Sequence, residues 1–364
     1  MLIGNKSHKP SNVMYVDKWE LNYYEDSSNG ETCYTESFIG QVPIENTNSH
    51  KYLGHIISNT GTNIENIQER NKLALGNIRN IFSRLNSLKL MNYYFEAAII
   101  LMLCMLRASL LYSAETYYNI KETELRAIER TEESFLRQLF EQYKGCPISQ
   151  LYLECGLYPA RFEIVKMRLL FLHYILKQDK DSLLYRFLEA QMIEPSKGCW
   201  YNQVIGDLKS NNIQLSLNDI SSLSSNQFRS IVKKQICESG LKYLLNKQRS
   251  KGANITYKSL KMSEYLLPYN CLNIEQKIQL FSIRNQMVQI DSNFSQNVTK
   301  CISGCNNIVN MEHIYYCKNL SDSEITLKPI YAHIYSENVE DNIEVFTIMQ
   351  TNLDKYEKLQ ENLL

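Results

Sequence analysis

Four residues near the C-terminal end of the chain carry its sharpest chemical signal. Cys301-Ile-Ser-Gly-Cys305 is followed after seven residues by His313 and after three more by Cys317, a C-x3-C-x7-H-x3-C array. Three thiolates and one imidazole suit a tetrahedral zinc ion; with all four positions filled by protein such a site is structural and has no place for a catalytic water. Gly304 beside the second cysteine permits a tight knuckle turn, and His313 at the start of a short helix presents Cys317 one turn on. A chance cluster is the alternative, because these gaps match neither the usual zinc-finger nor the compact knuckle spacings. The other cysteines, Cys33, Cys104, Cys146, Cys155, Cys199, Cys237 and Cys271, are scattered and read as small apolar side chains.

A second signal is electrostatic. From Phe228 to Lys261 the chain carries Arg229, Lys233, Lys234, Lys242, Lys247, Arg249, Lys251, Lys258 and Lys261 against Glu238 alone, a local charge of plus eight in a chain of zero net charge. Such a stripe would bind RNA or DNA through phosphates, without base preference and with strong salt dependence. Tyr243 and Tyr257 lie among the charges, where they could stack on unpaired bases. A basic run on a helix is otherwise an ordinary solvated face. The end from Leu320 to Leu364 has charge minus six and is expected to be a helical tail able to fold back onto the basic stretch.

The elements that must position these residues are mostly helical. Thr32 to Gln41 and Lys51 to Ser58 read as strand. From Asn63 to Lys89 apolar residues recur at three and four residue steps, with Arg70, Lys72, Arg79 and Arg84 between them, which predicts an amphipathic helix with a basic outer side. Tyr93 to Tyr118 reads as an apolar helix and Glu122 to Phe140 as an amphipathic one, so the three make a bundle. Gly145-Cys146-Pro147 breaks the pattern. Helices are then expected over 161–178, 182–192, 201–210, 226–247 and 274–290. The fold class is therefore mainly α: a helical bundle (61–145), a second helical block (146–270), a small β element (1–60), a helix plus Cys/His module (271–320) and the acidic tail (321–364). The apolar run Ala97 to Leu106 is too short to cross a bilayer and reads as a buried core helix, and Met1 to Pro10 lacks the apolar core of a signal peptide. The expected location is intracellular, in nucleus or cytoplasm, where thiols stay reduced.

Several stretches, taken in order, resemble the region after the catalytic palm of LINE-type (non-LTR) retrotransposon reverse transcriptases. Lys51-Tyr52-Leu53-Gly54 resembles the primer-grip hairpin, and Leu110 to Tyr117 (LLYSAETY) resembles the L-Y-G-S-E-T-W stretch of the thumb. Ile128 to Phe140 resembles its L-E-x-x-x-x-x-F-L-R helix, and Pro147 to Leu176, with Glu154, Gly156 and Arg168-Leu169-Leu170, resembles the segment beyond the thumb. The array from Cys301 to Cys317 is similar to that family's C-terminal CCHC motif, whose usual C-x2-C and H-x4-C gaps are here three and three. The resemblance implies a palm remnant over 1–60, a thumb over 61–145, a region holding element RNA and target DNA beyond it, and a structural zinc.

The resemblance stops short of the polymerase centre. Two-metal phosphoryl transfer needs paired carboxylates, and Tyr15-Val16-Asp17-Lys18 matches the Y-x-D-D signature only superficially, since Lys18 would repel a cation. No catalytic residue, magnesium site, membrane or small-molecule substrate is expected for this chain, and a palm and fingers portion encoded upstream would have to supply polymerisation. The alternative reading is a non-catalytic helical interaction protein with a structural zinc site.

Overall fold

The computed structural model describes residues 2–3, 15–25, 32–43, 46–58, 60–87, 93–141, 146–195, 198–249, 257–268, 272–285, 301–305, 307, 311–320 and 339–361. It divides into two units, Met1–Glu69 and Arg70–Leu364.

In the first unit, β1 (Leu2–Ile3) pairs in parallel with β4 (Asn46–Thr47), and β2 (Tyr15–Glu25) pairs antiparallel with β3 (Thr32–Pro43) from Tyr15↔Pro43 to Glu25↔Thr32. The register shifts between Lys18 and Trp19, as a β-bulge produces. β2 escapes sequence reading because Asp17, Lys18 and Glu20 interrupt the alternation among Val16, Trp19 and Tyr23. The Tyr15-Val16-Asp17-Lys18 stretch opens this strand, with Asp17 opposite Gln41. β5 (Ser49–Tyr52) and β6 (His55–Ser58) form a hairpin whose two-residue turn, Leu53-Gly54, has φ of 46° and 86°. Two positive central φ values are the signature of the type I′ turn that matches strand twist. Helix α1 (Ile64–Ser87) starts here: Ile56 N–H donates to Asn66 Oδ1 at 3.1 Å, and Lys51 pairs with Glu69 at 3.5 Å. The first unit therefore includes the start of α1, as far as Glu69.

In the second unit α1 continues with Lys72, Arg79 and Arg84 exposed, whereas Arg70, expected on the outer side, is buried with its guanidinium 4.4 Å from the Tyr112 ring centre. The apolar helix expected to reach Tyr118 ends earlier. It runs as α2 (Tyr94–Leu101), a π-helical stretch Met102–Arg107 and α3 (Ala108–Leu110), and the left-handed Ser113 (φ 56°) then turns the chain into a short 3-10 turn, Ala114–Thr116. Phe95, Ala98, Met102, Leu106 and Leu110 face inward, but Ile100, Leu103 and Cys104 are exposed, so the run is a one-sided wall of the core.

Helices α4 (Glu122–Leu139), α5 (Ile148–Glu154), α6 (Ala160–Leu176), α7 (Leu183–Ile193), α8 (Trp200–Ser210), α9 (Leu217–Ser222) and α10 (Ser225–Arg249) follow. α5 and α9 were not foreseen: the first is a short helix of seven residues after Pro147, and the second is held by a Ser216/Asp219 capping box within a polar stretch. α6 lies at the centre, its Leu169, Leu172 and Ile175 packed among Trp200, Val204, Ile220, Phe228, Val232 and Ile236. The 3-10 turn Glu264–Leu266, α11 (Ile274–Arg284), α12 (Met311–Tyr316) and α13 (Val339–Glu361) complete the described chain. No described helix is long and apolar enough to cross a membrane.

Buried ion pairs and the hydrogen bonds around them tie these helices together. Arg107 Nε donates to Glu132 at 2.6 Å, and the same carboxylate accepts from Tyr152 Oη (3.0 Å) and Ala160 N (2.9 Å). Arg168 joins Asp207 (2.8 Å) to the Tyr117 carbonyl (3.1 Å), fixing the exit of LLYSAETY together with the bond from Trp200 Nε1 to Glu115 O (2.8 Å). Glu154, fully buried, accepts from Arg284 Nε (2.9 Å), Tyr257 Oη (2.9 Å) and Ser263 Oγ, and Arg284 continues to Asn342 Oδ1 at 2.7 Å. α4, α5, α11 and α13 are thereby parts of one polar scaffold. Gly156, at φ 67°, lets the backbone of 261–262 pass where any Cβ would lie 2.4 Å from Met262 N.

Candidate metal centre and basic face

The four array residues meet. One donor atom from each of Cys301, Cys305, His313 and Cys317 lies within 4.8 Å of all the others, a grouping that can hold a metal ion. Cys301 N–H donates to Asn307 O (2.8 Å) and Gly304 N–H to Cys301 O (3.3 Å), so the first two cysteines sit on one turn, closed by Gly304 at φ 84°. α12 brings His313 Nε2 to 3.2 Å from Cys305 Sγ, and Cys317 follows at its end with Sγ 3.8 Å from Cys305 Sγ.

The electrostatics suit a cation. Burial pushes the Cys301 thiol up. Burial also works to raise Cys305, but the Asn307 amide and the neighbouring thiol and hydroxyl groups outweigh it and hold this thiol below its usual range. Burial lowers His313, favouring the neutral imidazole that a metal requires. Three cysteines and one histidine are a donor set compatible with structural zinc.

The module is fastened by the last helix. Asn352 Nδ2 donates to Ile314 O (2.9 Å), and Lys355 Nζ to Leu320 O (2.9 Å), so α13 caps carbonyls of α12 and of the turn beyond it. The described part of the acidic tail thus packs on α11, α12 and the Glu264–Leu266 turn.

α10 buries Phe228, Val232, Ile236, Leu244 and Gln248, a four-residue repeat, and exposes Arg229, Lys233, Lys234 and Lys242. Lys233 borders a cleft of about 830 Å³ together with Tyr112, Glu163 and Lys166, and Lys242 borders one of about 470 Å³ with Arg161 and Arg168. Lys166 and Arg161, both on α6, are additions that sequence reading did not place beside the stripe. The two tyrosines are engaged elsewhere. Tyr243 has Lys247 Nζ 4.5 Å and Arg161 5.1 Å from its ring centre, with Phe162 at its edge. Tyr257 accepts from Gln150 Nε2 at 2.5 Å and donates to Glu154, committing its hydroxyl to the buried scaffold. The Arg249 side chain and Lys251 lie outside the described residues. In the first unit, Lys51 and Tyr52 close β5, and Tyr52 and Leu53 project from the hairpin tip, 60% and 75% exposed.

Comparison of the chain with protein-family models, curated proteins and solved structures finds no match.

Proposed function

We propose that these residues form the post-palm, nucleic-acid-holding region of a LINE-type reverse transcriptase, with zinc at the Cys/His cluster and no polymerase centre. The observation that carries this reading is the convergence of Cys301, Cys305, His313 and Cys317 into one donor cluster, at the end of a chain whose earlier stretches resemble that family in order. The exposed cations Arg229, Lys233, Lys234 and Lys242 of α10 supply the contact to phosphates. Phosphate contacts of this kind position RNA or DNA without reading its bases.

Binding of unrelated single-stranded RNA, single-stranded DNA and duplex oligonucleotides, followed by fluorescence anisotropy between about 50 and 200 mM salt, tests the reading. Changing Lys233, Lys234 and Lys242 to alanine should weaken binding of every sequence alike and flatten the salt slope by up to about three. Unchanged affinity and slope in the triple variant would leave the stripe as a solvated face and refute the assignment.

A further inference from the structure

The Cys/His cluster contains a fifth polar side chain that the array does not count. Ser303 Oγ lies 3.0 Å from Cys301 Sγ and 3.3 Å from Cys317 Sγ, inside the group of donors. Its position is fixed from two sides. Asn319 Nδ2 donates to Ser303 O at 2.8 Å, and the following residue is the left-handed Gly304 that makes the turn.

Three thiolates around a divalent ion leave a net negative charge of one on the sulfurs and metal together. That charge makes the sulfurs basic and open to protons, oxidants and alkylating agents unless N–H or O–H groups donate to them. The Asn307 amide serves Cys305 and the Ser303 amide serves Cys301. Cys317 differs. Its contact with Cys305 at 3.8 Å has a thiol as donor, and that hydrogen is gone once both sulfurs are metal-bound. The Ser303 hydroxyl then faces two sulfurs without protons and must be the donor.

We propose that Ser303 is an outer-sphere positioning residue of the metal centre, donating its hydroxyl hydrogen to the Cys317 and Cys301 thiolates. The proposal rests on the zinc reading above. The hydroxyl draws electron density from the sulfurs, which strengthens retention of the ion against acid and electrophiles. Outer-sphere partners of this kind are worth about 10- to 100-fold in metal affinity.

The full chain is loaded with cobalt(II) in place of zinc and its absorption spectrum is recorded for the parent, Ser303→Ala and Ser303→Thr. The alanine variant should move the sulfur-to-cobalt charge-transfer band to lower energy, and the threonine variant should restore it. Competition with a chelating dye should show zinc affinity falling about 10-fold or more in Ser303→Ala, and alkylation of the zinc-loaded thiolates should speed up. Asn319→Ala, which releases the Ser303 backbone, should shift the same observables in the same direction if the alanine variant proves too unstable to load. A parent that takes up no cobalt or zinc would refute both the zinc reading and this inference. A parent that binds one ion, with variants of unchanged band energy and affinity, would overturn the role of Ser303 alone.

Discussion

Replacing Arg284 by methionine should be among the most damaging single changes in the second unit. Arg284 and Glu154 are 5% and 0% exposed at their side chains, and the guanidinium also reaches Asn342 and stacks 5.1 Å from the Tyr265 ring centre. Methionine keeps most of the volume but strands a carboxylate, with the neutral donors Tyr257, Ser263 and Gln150 as its remaining partners. Removing one member of a buried pair costs about 3–5 kcal/mol, because the charge left behind stays desolvated. Replacing both members by apolar residues can be far milder, so Arg284→Met combined with Glu154→Leu should recover part of the loss. Urea unfolding of parent, single and double variants, followed by circular dichroism, measures the cycle. Hydrogen exchange should show faster opening of α13 in the single variant, since the bond from Arg284 to Asn342 is lost there. A single variant within about 1 kcal/mol of the parent, with α13 protection unchanged, would refute the view that this pair holds the scaffold together.

Gly156→Ala adds a left-handed penalty of about 1–2 kcal/mol to an overpacking cost of about 1–3 kcal/mol against Met262, and thermal unfolding should show a clear drop in Tm. Metal analysis of freshly reduced protein should find one zinc per chain, and chelation should loosen 301–320 and α13 while α4, α6 and α10 keep their hydrogen-exchange protection. Glu163 is held below its usual carboxylate range: burial opposes this, but Lys166 at 2.5 Å and the Tyr158 hydroxyl at 2.7 Å prevail. Its contribution is therefore present above the ordinary carboxylate value and lost as pH falls through the lowered one, so Glu163→Gln should flatten the acid side of a stability-versus-pH curve. The purified chain should extend no primer with magnesium or manganese, and nucleotide incorporation abolished by an Asp17 change would overturn that expectation.

Helices α1 and α4 were legible because a one-sided apolar pattern at three and four residue steps survives in them. The Cys/His cluster was legible because its four ligands lie within one short segment. Long-range commitments were not. Nothing local to Tyr257 shows that its hydroxyl will be taken by Glu154, or that Arg161 and Lys247 will settle on Tyr243. The ten-residue apolar run at 97–106 gave no sign that Ile100 and Leu103 face outward, because continuous hydrophobicity hides which side is buried. Arg70 was misplaced for the opposite reason: a charged residue in an amphipathic pattern reads as outer surface, yet its long stem and planar head pack against Tyr112.

The residues that make up the resemblance beyond the thumb divide by role once their contacts are known. Glu154, Gly156 and Arg168 are each accounted for by folding: the first anchors Arg284, the second admits the 261–262 backbone, and the third binds Asp207 and the Tyr117 carbonyl. Glu129, within the stretch similar to the thumb helix, is likewise used up by Arg161 and Arg126. These side chains would be needed by any chain with this scaffold, whatever it binds, so they carry no weight for nucleic-acid contact. That weight falls on groups the scaffold leaves exposed: Arg229, Lys233, Lys234 and Lys242 on α10, together with the Cys/His module that α13 holds against the rest of its unit. Substitutions at Glu154 or Arg168 should therefore lower binding only in step with stability, whereas substitutions of the α10 lysines should lower binding with stability unchanged.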